Sequence, residues 1–260
     1  IWFTRSCGIL KYIVERVVFS KHPEWPTVNF ILKTLHERGH QAVLAGGCVR
    51  DALLGREAKD LDVATNATPE QVESYFKRVL PLGKSFGVCR VIHDGSSIEV
   101  ATFRQEFDYK DGRRPHRVEY SSLEHDAERR DFTINALFYD VEADEVIDLV
   151  GGVEDLNRRQ LRCVGEPERR FGEDYLRLLR GIRFAGQLDF QIEAETYRAL
   201  KKLAPLLARI SRERIYDELN KMLVRNGVYR CYQLLVEMKI FDVIFEDWNS
   251  TTCISMNNQS

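Results

Sequence analysis

The sequence lacks paired cysteines and long apolar runs. Its six cysteines are scattered, with no CxxC motif and no Cys/His cluster: Cys7, Cys48, Cys89, Cys163, Cys231 and Cys253. This spacing argues against a zinc site and against a disulfide framework, so a reducing cytoplasm is the expected compartment. No apolar run approaches the roughly 20 residues that a membrane span needs, and no membrane partner is expected.

The two ends of the chain differ from the rest. Lys11, Glu15 and Arg16 interrupt the apolar residues at the start, and no small-residue cleavage site follows, so residues 1–23 are predicted to form an amphipathic helix or extension rather than a signal peptide. Residues 247–260 have little charge and no periodicity, which predicts disorder or a segment foreign to the fold. The chain begins with isoleucine rather than methionine, which is expected either of a fragment or of an unusual gene model.

Charge is unevenly distributed, although the formal net charge is only -2. Residues 1–155 contain 20 Lys+Arg and 26 Asp+Glu, a balance of -6, while residues 156–225 contain 16 and 10, a balance of +6. A charged helical surface would account for this. An acidic, metal-binding first half and a basic second half that meets phosphates would also account for it.

The pattern of elements divides the chain near Gly151. Before it, helices (27–39, 49–54 and one starting at Thr68) mix with strands (41–45, 61–64, 88–93 and 97–103), whereas residues 105–128 are a polar stretch, either disordered or functional. After it, only helices are predicted: 153–159, 172–186, 194–207, 211–224 and 228–238. The expected fold is α+β, with a mixed-sheet domain over 24–150 and an all-helical domain over 151–246.

Asp60 and Asp62 are the first candidate site. On a strand, residues i and i+2 point to the same face, so the two carboxylates would lie side by side. A shared divalent cation compensates such repulsion, and Mg²⁺ prefers carboxylate oxygens with retained water. A solvated strand edge would produce the same spacing. Glu99, on a later strand, is either a third carboxylate for this site or a hairpin surface residue.

The Gly46-Gly47 turn precedes these aspartates. Glycines allow backbone N–H groups to approach a phosphate at a helix start, and Arg50 lies one turn into that helix. An ordinary strand-to-helix turn is the alternative. The absence of a GxGxxG motif excludes a Rossmann dinucleotide-binding site. A phosphate cradle and an aspartate pair within a short stretch form a more specific combination than either alone.

Two further groups of residues have side chains that could bind parts of a nucleotide. In Arg129-Arg130-Asp131, the carboxylate could accept from a sugar hydroxyl and a guanidinium could bind a triphosphate, although a charged loop would look the same. On the predicted helix from Gly172, Asp174 and Arg177 lie one turn apart, outside the apolar stripe of Tyr175, Leu178, Leu179 and Ile182. A carboxylate accepting from an amino group and a guanidinium donating to a ring nitrogen would select cytosine and adenine. A surface ion pair is the alternative.

Five motifs in order resemble the class II nucleotidyltransferases, the family of tRNA CCA-adding enzymes and bacterial poly(A) polymerases. They are GGCVRDALLGR with KDLDVAT, RRDFTINAL, the stretch from Gly151-Gly152 to Arg162, EDYLRLLRGIRFAGQL and SRERIYDELNKML. Together they span about residues 40–225. The segment EFDYKDGRRPHRVEY resembles the flexible loop of CCA-adding and A-adding members. Tyr175 stands where the family commonly has proline.

The resemblance implies a polymerase-β-like head followed by a helical neck, joined by a hinge at Gly151. It implies Mg²⁺ and catalysis at Asp60 and Asp62, and Glu213 and Arg214 bracing the base template. Glu99 is a third catalytic candidate because of its position on a later strand. The implied nucleotide-binding residues are Gly47, Arg50, Arg130, Asp131, Asp174, Arg177, Arg180 and Arg183. The family's body and tail domains have no counterpart in this sequence, which leaves autonomous tRNA binding open.

The expected function is template-independent transfer of CMP and AMP from CTP and ATP to the tRNA 3′ end. An A-adding enzyme or poly(A) polymerase with the same site is the second hypothesis. A truncated, catalytically idle fragment that binds RNA or nucleotide is the third. The sequence does not indicate an oligomeric state.

Overall fold

The computed structural model describes residues 3–6, 9–12, 17–83, 87–109, 112, 115–224 and 226–245. The chain divides into two compact units, one formed by residues 1–108 and 115–165, the other by residues 109–114 and 166–260. The first unit therefore continues past the boundary predicted near Gly151. The predicted tail at 247–260 lies outside the described residues.

A nine-stranded mixed sheet forms the centre of the first unit, in the order β1-β2-β11-β10-β3-β4-β7-β6-β5. Its strands are β1 (Phe3–Ser6), β2 (Ile9–Tyr12), β3 (Ala42–Ala45), β4 (Val63–Thr65), β5 (Val79–Gly83), β6 (Val88–His93), β7 (Ser96–Thr102), β10 (Leu137–Asp140) and β11 (Glu145–Asp148). Strands β4 and β7 are parallel, and β3 is antiparallel to both β4 and β10. The predicted mixed sheet is confirmed.

The start of the chain corrects one expectation. Where an amphipathic helix was predicted, β1 and β2 pair with each other, and β2 extends the sheet through pairing with β11, with Tyr12 opposite Val146. The helix prediction is wrong for these strands, because pairing with a partner more than a hundred residues away overrides local periodicity. Among the residues of this segment that the structure describes, only the short α1 (Val17–Ser20) is helical.

The helices of the first unit follow their local sequence. They are α2 (Trp25–Glu37), α3 (Gly47–Leu53), α4 (Pro69–Tyr75), α5 (Leu123–Glu128), a short 3-10 helix (Thr133–Asn135) and α6 (Gly152–Asn157). Helix α2 buries Val28, Ile31, Leu32 and Leu35, the spacing of one helical face. Helix α4 starts after Thr68, as predicted, and Thr68 forms a capping box with Gln71.

The polar stretch 105–128 contains ordered elements. Strands β8 (Arg104–Tyr109) and β9 (Pro115–Tyr120) form a separate two-stranded sheet, and α5 follows. The end of this stretch joins the core, where Leu123 and Ala127 pack with Phe103 and Phe138.

Residues after Gly151 remain tied to the first unit. The Asp148 carboxylate accepts hydrogen bonds from four backbone N–H groups, at residues 150 to 153, over 2.9–3.2 Å. Asp155 accepts from Thr133 Oγ1 at 2.5 Å and from Arg162 Nε at 2.9 Å. The segment proposed as a hinge is thus held by the fold of the first unit.

The second unit is mainly helical. Its elements are α7 (Pro167–Glu173), α8 (Leu176–Leu188), α9 (Ala194–Leu203), a 3-10 helix (Ala204–Arg209), α10 (Arg212–Leu223), α11 (Val228–Glu237) and α12 (Ile240–Ile244). The two-residue strands β12 (Gln160–Leu161) and β13 (Gln191–Ile192) depart from the prediction of helices alone after Gly151. The single helix predicted over 172–186 is wrong, because the chain is extended at Asp174 between α7 and α8.

Helix α8 lies at the centre of this unit. Its residues Leu178, Leu179 and Ile182 are fully buried, as the apolar stripe predicts. A Cβ at Gly186 would overlap Cys231 Sγ, so glycine permits the close approach of α11 to α8. Within the part of the chain that the structure describes, we find no helix with the length and apolarity to cross a bilayer.

Candidate nucleotide and metal site

Asp62 lies immediately before β4 rather than on the predicted strand 61–64, and Asp60 lies two residues earlier. Both are exposed, while Leu61 between them is 1% exposed, so the alternation expected of two side chains on one face is present. The Asp62 carbonyl accepts a hydrogen bond from Ala45 N at 3.0 Å, which fixes the segment against the end of β3. The parallel pairing of Val63 with Val100 puts Asp62 next to Glu99 on the neighbouring strand.

Negative charge accumulates around Asp62. Desolvation by the surrounding protein, together with the charges of Glu99 and Asp60 and against the opposing charge of Arg130, raises the pKa of Asp62 to about 6. A carboxylate pair that repels itself in this way would be stabilised by a divalent cation. The three predicted carboxylates therefore act on one another electrostatically.

Glu99 also has a partner of its own. Its Oε1 lies 2.6 Å from Arg90 Nη2 on the adjacent strand β6, and both side chains are more than a third exposed. Such an exposed ion pair is worth about 0–1 kcal/mol, so it constrains Glu99 only weakly. Among the described residues, no group of three or more His, Cys, Asp or Glu side chains is arranged so that it could hold a metal ion.

The Gly46-Gly47 turn has its steric requirement at Gly46. This residue has φ 77° and ψ -124°, which disfavours any other residue, and its N–H donates to Leu137 O on β10 at 2.8 Å. A Cβ at position 46 would lie 2.9 Å from Arg130 Nη1, whereas one at Gly47 would lie 3.6 Å from Arg50 Nη2, an ordinary contact. The turn therefore brings the phosphate-type motif against the predicted ribose motif.

Arg50 is buried beside this turn. Its Nε and Nη2 donate to the two carboxylate oxygens of Asp51 at 2.9 and 3.0 Å. Its Nη1 donates to Asn135 Oδ1 at 2.6 Å. The guanidinium is therefore held in one plane by a carboxylate and an amide.

Arg130 is held in the same neighbourhood. Its Nε and Nη2 donate to Asp126 Oδ2 at 3.2 and 3.0 Å, and its Nη1 donates to the Asn135 carbonyl at 2.9 Å. The guanidinium carbon lies 4.7 Å from the centre of the Phe138 ring. Burial acts to raise the pKa of Asp126, but the Arg129 and Arg130 charges outweigh it and lower that pKa below its usual range.

Asp131 is buried at the start of the 3-10 helix. Its Oδ1 accepts from Phe132 N at 2.8 Å and from Asn135 Nδ2 at 3.1 Å. Asn135 and Asp126, which were not predicted as site residues, thus connect three residues that were. The sequence signal for Asn135 is its place inside the apolar run FTINALF, because a buried amide needs hydrogen-bond partners.

In the second unit, Asp174 and Arg177 do not form a pair on one helix face. Both Asp174 carboxylate oxygens accept from Arg214 Nη2 at 3.1 Å, and Oδ1 also accepts from Leu176 N. Arg177 Nη1 donates instead to Glu173 Oε2 at 2.7 Å and to the Arg170 carbonyl at 2.8 Å. Each candidate base-reading group is oriented by a different neighbour.

The remaining arginines of α8 differ in environment. Arg183 is buried, with Nε 2.7 Å from Glu218 Oε2 on α10, while Arg180 is partly buried and lies 5.4 Å from the Phe184 ring centre. Burial acts to raise the pKa of Glu218, but the Arg183 charge and the hydrogen bond from Lys221 lower it overall. Arg214 braces Asp174 as expected, whereas Glu213 is exposed and Glu218 is the acidic residue of α10 that contacts α8.

The first unit contains Gly47, Arg50, Asp60, Asp62, Glu99, Arg130 and Asp131, and the second contains Asp174, Arg177, Arg180 and Arg183. The mixed sheet with an aspartate pair beside a glycine turn, and the helical unit with Asp174 and Arg177, contain the residues of the motifs quoted above. Residues 42–162 match the family model of the poly A polymerase head domain. Residues 189–251 match the model described as the probable RNA and SrmB-binding site of polymerase A.

The chain belongs to the class II nucleotidyltransferase family, with the head and neck regions of the CCA-adding enzymes. It is 48% identical over 213 residues to the CCA-adding enzyme of Bacillus pumilus, covering 82% of this chain and 53% of the relative. It is 47% identical to that of Enterococcus faecalis, covering 77% and 49%. The chain thus spans about half the length of the curated relatives it matches. Members of this family generally use divalent metals.

Solved structures agree with this assignment. The Bacillus stearothermophilus CCA-adding enzyme in complex with CTP superposes with a TM-score of 0.77 at 40% identity, over 84% of this chain and 53% of that one. The Thermotoga maritima CCA-adding enzyme complexed with tRNA gives a TM-score of 0.76 at 25% identity, over 91% and 56%. The fold of both units is therefore one that has been observed with nucleotide and with tRNA in relatives.

Proposed function

We propose that this chain provides the catalytic part of a tRNA nucleotidyltransferase that adds CMP and AMP, from CTP and ATP, to the tRNA 3′ end without a nucleic-acid template. The observation that carries the proposal is the group of three carboxylates Asp60, Asp62 and Glu99. In the first unit, Asp62 interacts electrostatically with the other two and with the Arg130 guanidinium. The likeness to CCA-adding enzymes supports the choice of substrate.

Asp60 and Asp62 are the proposed holders of Mg²⁺, with Glu99 as the further carboxylate of the catalytic group. Two carboxylates with substrate phosphates and water are a ligand set that suits this ion. When bound, Mg²⁺ would lower the pKa of the primer 3′-hydroxyl and stabilise the departing pyrophosphate. The charge repulsion at Asp62 fits such a cation.

The nucleotide is proposed to bind along the glycine turn. Gly47 and Arg50 would hold the triphosphate, Arg130 would bind phosphate or sugar, and Asp131 would accept from a ribose hydroxyl. Because Arg50 and Arg130 are already oriented by Asp51, Asp126 and Asn135, little side-chain entropy would be lost on binding.

The base is proposed to be read by the second unit. The Asp174 carboxylate would accept from the amino group of cytosine or adenine, and Arg177 would donate to the unprotonated ring nitrogen. Guanine and uracil present the opposite pattern at these positions. Arg180 and Arg183 would lie beside the nucleotide.

Incubation of the purified chain with Mg²⁺, a tRNA ending before CCA and each labelled nucleotide in turn tests the proposal. We expect CTP and ATP to be incorporated and GTP and UTP to be rejected. Asp62→Ala should abolish incorporation, whereas Glu57→Ala, which removes an exposed carboxylate from the same loop, should not. Incorporation by Asp62→Ala at the wild-type rate would contradict the metal assignment.

The same assay separates the alternatives. The match to the poly A polymerase head model favours a poly(A) polymerase or A-adding enzyme as the second candidate. Addition of only ATP, to a tRNA already ending in CC or as a long tail, would establish it. Because the chain spans about half of its relatives, ATP binding without incorporation would instead indicate a nucleotide-binding fragment.

A further inference from the structure

Asn135 contacts three of the proposed nucleotide-binding residues at once. Its Oδ1 accepts from Arg50 Nη1 at 2.6 Å, and its Nδ2 donates to Asp131 Oδ1 at 3.1 Å. Its backbone carbonyl accepts from Arg130 Nη1 at 2.9 Å. Asn135 is only 7% exposed as a residue, so these bonds form away from bulk water.

The amide group is chemically suited to this position. A guanidinium only donates and a carboxylate only accepts, so the oxygen of the amide must face Arg50 and its nitrogen must face Asp131. Carboxylate and alcohol side chains of similar size lack one of these two functions or the length to supply both. The orientation of each partner therefore depends on the other through one side chain.

We propose that Asn135 is a positioning residue that links the triphosphate-binding Arg50 to the ribose-binding Asp131. The inference rests on the proposed function, because it assigns Arg50 and Asp131 to two parts of one nucleotide. Asn135 itself need not touch the nucleotide. It sets the guanidinium plane and the carboxylate orientation together, so binding of the triphosphate and of the 2′-hydroxyl is energetically coupled.

Thr133 provides a matched structural control. It lies in the same 3-10 helix, is fully buried and donates to Asp155 Oδ2 at 2.5 Å. Thr133→Val removes a buried hydrogen bond of this helix but leaves the Arg50 and Asp131 contacts intact. A role of Asn135 in folding alone would make the two substitutions equivalent.

The experiment measures Kd for ATP, 2′-deoxy-ATP and AMP with the purified chain, with Tm recorded for each variant. For Asn135→Ala we expect about a tenfold or greater rise in the Kd for ATP, since hydrogen bonds to two charged groups are lost. We also expect two ratios to fall together: the Kd for 2′-deoxy-ATP divided by that for ATP, and the Kd for AMP divided by that for ATP. Thr133→Val should lower Tm while keeping both preferences.

Asn135→Asp separates the two halves of the link and remains informative if the alanine variant does not fold. The new carboxylate still accepts from Arg50 but faces Asp131, which it repels. We therefore expect the preference for ATP over AMP to persist and the preference over 2′-deoxy-ATP to be lost. Retention of both preferences in Asn135→Asp would overturn the inference.

The outcomes distinguish this inference from the proposed function. If the wild-type chain binds no ATP, both fail. If it binds ATP and Asn135→Ala keeps both preferences, or if Thr133→Val loses them equally, only the role of Asn135 is overturned. A joint loss in Asn135→Ala, with both preferences retained in Thr133→Val, supports it whether or not the chain incorporates nucleotides.

Discussion

At the scale of single residues, Gly46 and Gly55 are two glycines of the first unit whose backbone φ is positive. Gly46 has a backbone conformation that favours glycine, and the space where its side chain would lie is next to Arg130. Gly55 also has positive φ, at 66°, but a Cβ there would meet nothing within 4 Å. Substitutions at these two glycines therefore distinguish the effect of backbone strain from the effect of a steric contact.

Gly46→Ala is expected to weaken nucleotide binding, whereas Gly55→Ala is not. Both substitutions should cost about 1 kcal/mol or more of folding free energy through strain at positive φ. Only the first would displace the Arg130 guanidinium and raise the Kd for ATP. Thermal unfolding and ATP titration of the two variants measure these effects, and equal Kd values would contradict the contact argument.

Asp62 should make the metal-free protein less stable above pH 6. Its pKa, raised to about 6, means that folding favours the protonated form, so the charged form destabilises the folded state above that pH. Asp62→Asn should therefore raise Tm at pH 7–8, with the difference disappearing below about pH 4. Because the residue is exposed, the gain is about 1 kcal/mol or less. A lower Tm for Asp62→Asn at pH 8 would contradict the repulsion.

At the scale of elements, the break between α7 and α8 was not predictable from periodicity. The stripe of Leu178, Leu179 and Ile182 was correct, and the sequence has no proline or glycine at Asp174 to mark a break. Arg214, 40 residues away, fixes the Asp174 carboxylate, and Tyr175 N donates to Gly112 O. These contacts arise only when the second unit folds.

Arg177 should control the choice of base. Arg177→Lys retains a charge near Glu173 but loses the planar pair of donors, so we expect GTP and UTP to be incorporated about tenfold more readily relative to ATP. Arg198→Lys, at an exposed arginine of α9, is the control. Competition assays with the four nucleotides measure the ratio, and unchanged exclusion of GTP and UTP would refute the base-reading role.

The ion pair between α8 and α10 should support the second unit. Glu218→Gln leaves Arg183 buried without its carboxylate partner, which costs about 3–5 kcal/mol when such a pair is broken. Since the pKa of Glu218 is lowered by folding, its contribution is present above its ordinary pKa and is lost as the pH falls through the folded value. Tm measured against pH should therefore converge for the two proteins in acid. Glu195→Gln, in an exposed pair, should change Tm little.

At the scale of the molecule, the sequence suggests candidate site residues but not the contacts that hold them. Candidates within motifs can be proposed from the sequence because the type of each side chain determines its chemistry. The strands β1 and β2, the continuation of the first unit to Gly165 and the Asn135 contacts were not, because each depends on residues far apart in sequence. The assignment of nucleotide-binding roles to these residues remains a prediction.

A fragment of residues 1–165 should fold better than one of residues 1–150. The longer fragment keeps the Thr133–Asp155–Arg162 hydrogen bonds and the bridge between Phe132 and Cys163, which the shorter one removes. We expect cooperative thermal unfolding only for residues 1–165. Cooperative unfolding of residues 1–150 with the same Tm would show that the compact unit ends at the earlier boundary.

The approach of Gly46 to Arg130 also has a consequence for how such chains diverge. A Cβ at position 46 would lie 2.9 Å from the Arg130 guanidinium and would also need the φ of 77° that favours glycine. A shorter residue at position 130 would relieve the contact but not the backbone strain. Lineages should therefore keep glycine at position 46 even where position 130, 84 residues away, has changed.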